Sequence, residues 1–211
     1  MSAPARPHAF TRRQSLVLLV LLVLLGAGFL LALDFSILNV ALPEIGAGVG
    51  LSNADLPWIA AAYALPAAGF TLLFGRLADL LGRRRVFLGG MVLLICASAL
   101  GGLATTPEVL LTARVLQGLA AAMSTPAALS LLTTEFDEGA ARDRVLGFNG
   151  AILSGGFTVG ALVGGALVSL ISWRAAFLIN LPVALAILVP TPGLVAPSRV
   201  PHRPCWTCPE R

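Results

Sequence analysis

The fold is decided around residues 75–87, which read GRLADLLGRRRVF. This charged segment with two glycines separates two apolar runs, Leu56–Phe74 and Val86–Leu103. The hydrocarbon core of a bilayer is about 30 Å thick and takes about 20 apolar residues of helix to cross. We therefore interpret the segment as a turn at a membrane surface, between two helices that span the membrane.

The rest of the chain has the composition of a membrane protein. Of its 211 residues, 57% are apolar and 11% are charged, against about 45–50% and about 25% in soluble domains. Six runs are long enough to span a bilayer: Leu16–Val40, Leu56–Phe74, Val86–Leu103, Val109–Leu132, Val145–Leu170 and Trp173–Val189. The first exceeds the apolar region of a cleaved signal peptide, which has about 7–15 residues, so we predict that it is a retained helix.

The arginines predict the orientation of these helices. All fourteen basic residues are Arg, and twelve of them fall on one side if the amino terminus lies in the cytoplasm. These are Arg6, Arg12, Arg13, Arg76, Arg83, Arg84, Arg85, Arg142, Arg144, Arg199, Arg203 and Arg211. Cytoplasmic loops carry such an excess, so we predict that both termini are cytoplasmic in a cell (plasma or inner) membrane. Since these arginines lie between apolar runs, we do not predict a nucleic-acid partner.

Three segments follow from this reading. Residues 1–15 form a cytoplasmic amino-terminal segment, residues 16–189 a six-helix transmembrane domain, and residues 190–211 a proline-rich cytoplasmic tail that we expect to be disordered. The connections are short polar loops at Pro43–Asp55, Gly75–Arg85, Ala104–Glu108 and Glu135–Arg144, with a tight turn near Ser172. None has room for a soluble domain.

The segment at 75–87 resembles motif A of the major facilitator superfamily, a Gly-x-Leu-Ala-Asp-x-x-Gly-Arg-Arg pattern between the second and third helices. Gly75, Asp79, Gly82, Arg83 and Arg84 match it, whereas Leu80 stands where many members carry Arg. A plain positive-inside loop would explain the arginines but not the spaced glycines and Asp79. The chemistry allows Asp79 to cap the next helix or to pair with Arg83. The resemblance implies a gating loop that latches this half against a carboxy-terminal half.

A carboxylate lies inside the first span. LDFSILNVALP at residues 33–43 looks like the first-helix motif of drug:proton antiporters, especially the fourteen-helix branch, and includes Asp34, Asn39 and Pro43. A charge within a membrane is costly enough to indicate a functional site. Asp34 is therefore the predicted proton site.

The fourth span supplies the opposite charge. LLTARVLQG at residues 110–118 resembles motif B, Leu-x-x-x-Arg-x-x-Gln-Gly, and contains Arg114, Gln117 and Gly118. With a rise of about 1.5 Å per residue, Asp34 and Arg114 both lie roughly 8–9 Å below the outer face, so we expect them to meet. A carboxylate that alternates between this arginine and an apolar environment can load and release a proton. A purely structural ion pair is the alternative.

Two further stretches look like motifs of drug exporters. Small residues at intervals of four allow close helix contact, and Gly156, Gly160 and Gly164, followed by Gly165, form such a helix-packing motif. It is similar to antiporter motif C, although Ala161 replaces its proline. WRAAFLINLP at residues 173–182, with Trp173, Arg174, Asn180 and Pro182, looks like the start of the sixth helix; an interfacial aromatic anchor explains Trp173 equally well.

No cofactor, metal or enzyme activity is predicted. His202, Cys205 and Cys208 offer three zinc ligands where a structural site usually needs four. The chain contains no nucleotide loop, metal cluster or nucleophile–base set that would indicate an enzyme.

The resemblance implies an all-α transmembrane six-helix bundle, one half of a major facilitator fold built from two three-helix inverted repeats. It implies proton-coupled export of small hydrophobic or cationic drugs by antiport, with Asp34 and Arg114 coupling protons, by a half-transporter or truncated exporter. Such a chain requires a carboxy-terminal half or a homodimer. Two alternatives stay open: a transport-incompetent fragment or interaction subunit, and a carrier of another small solute.

Overall fold

The computed structural model describes residues 12–134 and 139–195, and all regular structure in these ranges is helical. The helices are α1 (Arg12–Val40), α2 (Leu42–Val49), α3 (Leu56–Leu81), α4 (Arg83–Gly102), α5 (Pro107–Thr134), α6 (Ala140–Leu170), α7 (Trp173–Leu178), α8 (Asn180–Leu188) and α9 (Thr191–Leu194). Six stretches are long and apolar enough to cross a membrane: Leu18–Val40, Leu56–Leu81, Arg83–Gly102, Pro107–Thr134, Ala140–Leu170 and Trp173–Leu194. The predicted all-α bundle of six spans is confirmed.

Helix pairing follows the pattern that two repeats of three helices would produce. The first span, α1, packs against the fifth, α6, and the second, α3, packs against the fourth, α5. If spans one, two and three are superposed on spans four, five and six, the pair of spans one and five becomes the pair of spans four and two. The third span, α4, packs against α5 and against α7 and α8 of the sixth.

Two apolar clusters fill the interior. One includes Leu31, Phe87 and Leu132, and the other includes Ile37 and Phe177. Because α1 contributes Leu31 to the first cluster and Ile37 to the second, Asp34 lies at their junction.

Two predicted loops are partly helical. The stretch Pro43–Asp55 contains α2, with Pro43 in its first turn, where a missing N–H costs nothing. The segment Gly75–Arg85 also continues as helix, apart from Gly82 between α3 and α4. Gly82 has φ +99°, a conformation that side-chain-bearing residues rarely adopt. The apolar residues Leu77, Leu80 and Leu81 continue α3 to its end. The connection between α3 and α4 therefore consists of Gly82 alone.

The sixth span is interrupted and extends further than predicted. Helix α7 ends at Leu178 and α8 begins at Asn180, because Pro182 has no N–H to donate to the Leu178 carbonyl. The path continues past Val189 through α9, with Pro192 in its first turn and Val195 buried. The expected tail therefore starts no earlier than residue 196; residues 196–211, including His202, Cys205 and Cys208, lie outside the described residues.

Candidate functional site

The predicted meeting of Asp34 and Arg114 is confirmed. Nη1 of Arg114 lies 3.5 Å from Oδ2 of Asp34. Both side chains are buried, with exposures of 0% for Asp34 and 1% for Arg114. The two oppositely charged groups therefore lie inside the bundle and away from lipid.

Two amide side chains complete the surroundings of Asp34. Nε2 of Gln117 donates a hydrogen bond to Asp34 Oδ1 at 3.0 Å, and Nδ2 of Asn180 donates to the same oxygen. Both amides also donate to Oγ of Ser98, at 3.0 Å and 3.3 Å respectively. A single buried polar network therefore joins four spans. Its members are Asp34 on span one, Ser98 on span three, Arg114 and Gln117 on span four, and Asn180 on span six.

Arg114 has partners of its own besides the carboxylate. Its Nη1 donates to Gln117 Oε1 at 2.8 Å, and its Nε donates to the backbone carbonyl of Ile59 at 3.2 Å. The guanidinium carbon lies 4.5 Å from the centre of the Tyr63 ring, a favourable cation–π arrangement. Arg114 therefore has three partners that do not involve Asp34.

Close packing of α5 on α3 brings these groups together. A Cβ at Gly118 would lie 2.8 Å from Cγ of Pro66 and closer still to the Tyr63 carbonyl oxygen. Any side chain at Gly118 would therefore push apart the helices that carry Arg114 and Tyr63.

The glycines of α6 bring that helix against α1. A Cβ at Gly156 or Gly160 would lie 2.8 Å from the carbonyl oxygen of Phe29 or Leu33, and one at Gly164 would lie 2.9 Å from Cα of Ile37. This is the helix contact expected from the spacing. Gly165 is an exception to the predicted packing motif, because nothing lies within 4 Å of its Cβ position.

A hydrogen bond reinforces the contact between α1 and α6. Oγ of Ser36 donates to the backbone carbonyl of Phe157 at 2.6 Å. The rings of Phe35 and Phe157 also lie 5.6 Å apart, centre to centre. Phe35 and Ser36, the two residues that follow Asp34, therefore both contact α6.

The residues of the predicted gating loop lie together at the arginine-rich end of the bundle. Nε of Arg83 donates to Oδ1 of Asp79 at 3.1 Å, so Asp79 forms the pair rather than the cap. Nη2 of Arg84 donates to the carbonyl oxygen of Pro192 at 2.7 Å, which joins this turn to the end of the sixth span. Gly75 packs on Pro126, whose Cβ is 3.7 Å from the glycine's Cβ position.

The other motif residues lie at the opposite end. Asn39 donates to the carbonyl oxygen of Phe35, four residues earlier on its own helix. Trp173 is buried rather than exposed as an interfacial anchor would be. Arg174 lies over the Trp173 ring at 4.4 Å and donates to the carbonyl oxygen of Ala104 at 3.1 Å. None of these residues contacts Asp34.

An apolar groove of about 700 Å³ borders the polar network. Its walls come from α1, α3 and α6, and include the rings of Phe35, Tyr63 and Phe157. Tyr63 connects the polar network to the groove, because its ring packs on Arg114 and also lines the groove. The described residues place no charged side chain in the lining.

Sequence reasoning missed Ser98 and Tyr63. Serine in a span commonly bonds to its own helix backbone, so Ser98 carries no signal that marks it as part of a site. Tyr63 carries such a signal, because it is the single tyrosine of the chain and lies in the second span. The sequence marks Asn180 as a motif residue only and does not predict its buried position next to Asp34.

The fold and the buried ion pair define a multi-pass membrane protein. The sequence pattern of the Major Facilitator Superfamily matches residues 24–204, and the chain belongs to that family. It is 41% identical over 178 residues to the cephamycin export protein CmcT of Amycolatopsis lactamdurans, which covers 84% of the chain. It is 43% identical over 169 residues to the puromycin resistance protein pur8 of Streptomyces alboniger, which covers 80%.

A solved structure has the same fold. The proton:xylose symporter XylE, a major facilitator protein solved with a bromo-deoxyglucose, superposes with a TM-score of 0.72 over 85% of the chain at 16% identity. The chain covers 45% of that protein, and 37% and 34% of the cephamycin export protein and the puromycin resistance protein. It therefore spans the six-helix half of the fold and just over a third of the relatives' length.

Proposed function

We propose that the chain is the amino-terminal half of a proton-coupled exporter of small hydrophobic or cationic compounds. The names of two relatives describe export of cephamycin and resistance to puromycin. Asp34 binds the transported proton, and Arg114 is its charge partner. Transport is antiport: protons enter the cell as the compound leaves.

The observation that carries this proposal is the burial of a carboxylate within a membrane span. Asp34 is fully buried, receives hydrogen bonds from Gln117 and Asn180, and lies 3.5 Å from Arg114. Ionisable groups at such depth are rare and mark ion or proton pathways. The groove beside Tyr63 offers an apolar surface of the size that small-molecule sites have.

The arginine-rich end is the cytoplasmic end in this proposal. Arg76, Arg83, Arg84 and Arg85 lie at or near the turn between α3 and α4, and Arg142 and Arg144 lie in the first turns of α6. Both ends of the described chain, at α1 and α9, belong to the same end of the bundle. The contacts of Arg83 with Asp79 and of Arg84 with Pro192 suit a latch that controls opening on this side.

A second half is needed to close the groove. Only 11% of the most apolar part of α3 and 17% of that of α6 are buried inside the bundle, against 56% for α5. These exposed helices flank the groove, so we propose that they pack against a carboxy-terminal half or a second copy of the chain. Unsatisfied packing surfaces in a bilayer favour such association.

Efflux measurements test the proposal. The chain is expressed in bacterial cells that lack their own exporters, alone and fused to the carboxy-terminal part of the cephamycin exporter. We expect proton-gradient-driven efflux of puromycin or ethidium from the fusion, and its loss in Asp34→Asn. Asp55→Asn, at an exposed acid bonded to Ser52, is the matched control and keeps efflux.

The outcomes separate the candidates. Efflux by the 211-residue chain alone indicates a homodimer, and efflux only by the fusion indicates a half that needs its partner. Efflux by neither protein, with both inserted in the membrane, supports the transport-incompetent fragment instead. Undiminished gradient-driven efflux by Asp34→Asn contradicts the assigned proton site.

A further inference from the structure

The side chain of Asn180 has one hydrogen-bonding atom that is not used. Its Nδ2 donates to Asp34 Oδ1 and to Ser98 Oγ, but its Oδ1 is buried without a partner. Among the described residues, only one other buried side-chain atom, Oγ of Ser124, lacks a partner. Buried acceptors are nearly always paired, so an unpaired one beside a carboxylate requires a physical reason.

The other acceptors around Asp34 are already occupied. Gln117 Oε1 accepts from Arg114, and Ser98 Oγ accepts from both Gln117 and Asn180. An ionised carboxylate only accepts hydrogen bonds, whereas a protonated one carries an O–H that must donate. If a proton binds to Asp34, the carbonyl oxygen of Asn180 is therefore the free side-chain acceptor within this network.

We propose that Asn180 responds to the protonation state of Asp34 by turning its amide. With Asp34 ionised, Nδ2 of Asn180 donates to the carboxylate; with Asp34 protonated, Oδ1 of Asn180 accepts from its O–H. This inference rests on the proposed function, because it takes Asp34 as the group that binds the proton. Asn180 is a positioning residue in this scheme and does not itself carry the proton.

The step forms one O–H bond on Asp34 and turns one amide, which breaks the hydrogen bonds from Asn180 Nδ2 to Asp34 Oδ1 and to Ser98 Oγ. A proton from the aqueous phase binds to Asp34 Oδ1, and the site gains one positive charge. Arg114 then keeps Gln117, the Ile59 carbonyl and the Tyr63 ring as partners. The terminal torsion of asparagine is broad and roughly two-fold, so the amide can turn without moving the backbone.

No other described group replaces Asn180 in this role. The charged and titratable groups that face Asp34 are Arg114 on α5 and Tyr63 on α3. Helix α4 presents Ser98, and α6 packs on this part of α1 through Gly160 and Phe157. Asn180 is also the first residue of α8, directly after the break at Ile179. A change of its hydrogen bond therefore acts on the sixth span at its interrupted point.

Infrared difference spectroscopy tests the proposal on the 211-residue chain in lipid vesicles, titrated from neutral to acidic pH. The carboxylic C=O band of Asp34 is identified by its loss in Asp34→Asn. We expect this band to move to higher frequency in Asn180→Leu, because the acid loses its acceptor. Asn149→Leu, a half-buried asparagine on α6, is the control and leaves the band in place.

A second measurement keeps the Asn180 side chain intact. With ¹³C-labelled asparagine, the side-chain amide C=O band should change frequency as Asp34 is protonated, and this change should vanish in Asn180→Gln. An Asp34 band that is the same in Asn180→Leu and in the unmodified chain, or an amide change that persists in Asn180→Gln, overturns the inference alone. Absence of any Asp34 band at acidic pH overturns both the inference and the assigned proton site.

Discussion

Arg114 donates to Gln117 Oε1 at 2.8 Å, three residues further along the same helix. This distance is shorter than the 3.5 Å between Arg114 and Asp34, so Gln117 lies closer to the guanidinium than the carboxylate does. Gln117 in turn donates to Asp34 at 3.0 Å. One amide therefore links the two charged groups.

Loss of this amide should destabilise the bundle. Gln117→Leu removes one hydrogen bond each from Arg114, Asp34 and Ser98, and a hydrogen bond to a charged group contributes about 1.5–3 kcal/mol. We expect a lower midpoint of thermal unfolding in mild detergent. Thr112→Val, at an exposed position on the same helix, should leave the midpoint unchanged. Equal midpoints for Gln117→Leu and the unmodified chain would mean that the amide does not support the pair.

The glycine contact between α1 and α6 gives a matched pair of substitutions. A Cβ at Gly160 would lie 2.8 Å from both Leu33 O and Ser36 Cβ, whereas Gly165 has nothing within 4 Å. Gly160→Ala should lower the free energy of unfolding by about 1–3 kcal/mol, the typical cost of overpacking. Gly165→Ala should leave it unchanged or raise it slightly, since alanine favours helix. Chemical unfolding in detergent micelles measures both, and equal effects of the two substitutions would exclude the proposed packing.

Much of this architecture is readable from the sequence, because a bilayer imposes simple rules on length and charge. The six apolar runs predict the six spans, and the depth of Asp34 and Arg114 along their helices predicts that they meet. Gly82 illustrates a limit. The glycine marks a turn, but whether the turn takes one residue or eleven depends on how α3 and α4 pack.

The polar network around Asp34 is harder to predict, because its other members come from three different spans. The contact of Asn180 with Asp34 depends on the break that Pro182 makes in the sixth span and on the rotation of α8 that follows. The position of Ser98 depends on how α4 is rotated against α5. Sequence periodicity does not settle these rotations when a helix is apolar on all sides.

The topology can be measured by cysteine labelling. In a background where the three natural cysteines are replaced by serine, Arg85→Cys should be protected from a membrane-impermeant maleimide added to intact cells. Asn53→Cys, in the connection between α2 and α3 at the opposite end, should be labelled. We expect this result because loops rich in arginine stay on the cytoplasmic side of the membrane. Labelling of Arg85→Cys but not of Asn53→Cys would invert the proposed orientation.

Removal of both charges should separate the structural role of the ion pair from its role in transport. Arg114→Gln alone leaves Asp34 as a buried charge that has lost its counterion, and breaking such a pair costs about 3–5 kcal/mol. Asp34→Asn alone leaves Arg114 with Gln117, Ile59 O and the Tyr63 ring, so it should cost less. The double variant Asp34→Asn, Arg114→Gln has no buried charge and should recover most of the stability lost in Arg114→Gln.

Transport should not recover in the double variant, because no group remains that binds a proton. The fusion with the exporter's carboxy-terminal part measures this directly: the amount of folded protein is followed by size-exclusion chromatography, and efflux is driven by an imposed pH gradient. We expect normal folded protein and no gradient-driven efflux. A double variant that exports at the unmodified rate would show that Asp34 and Arg114 form a structural ion pair, and that another group couples protons.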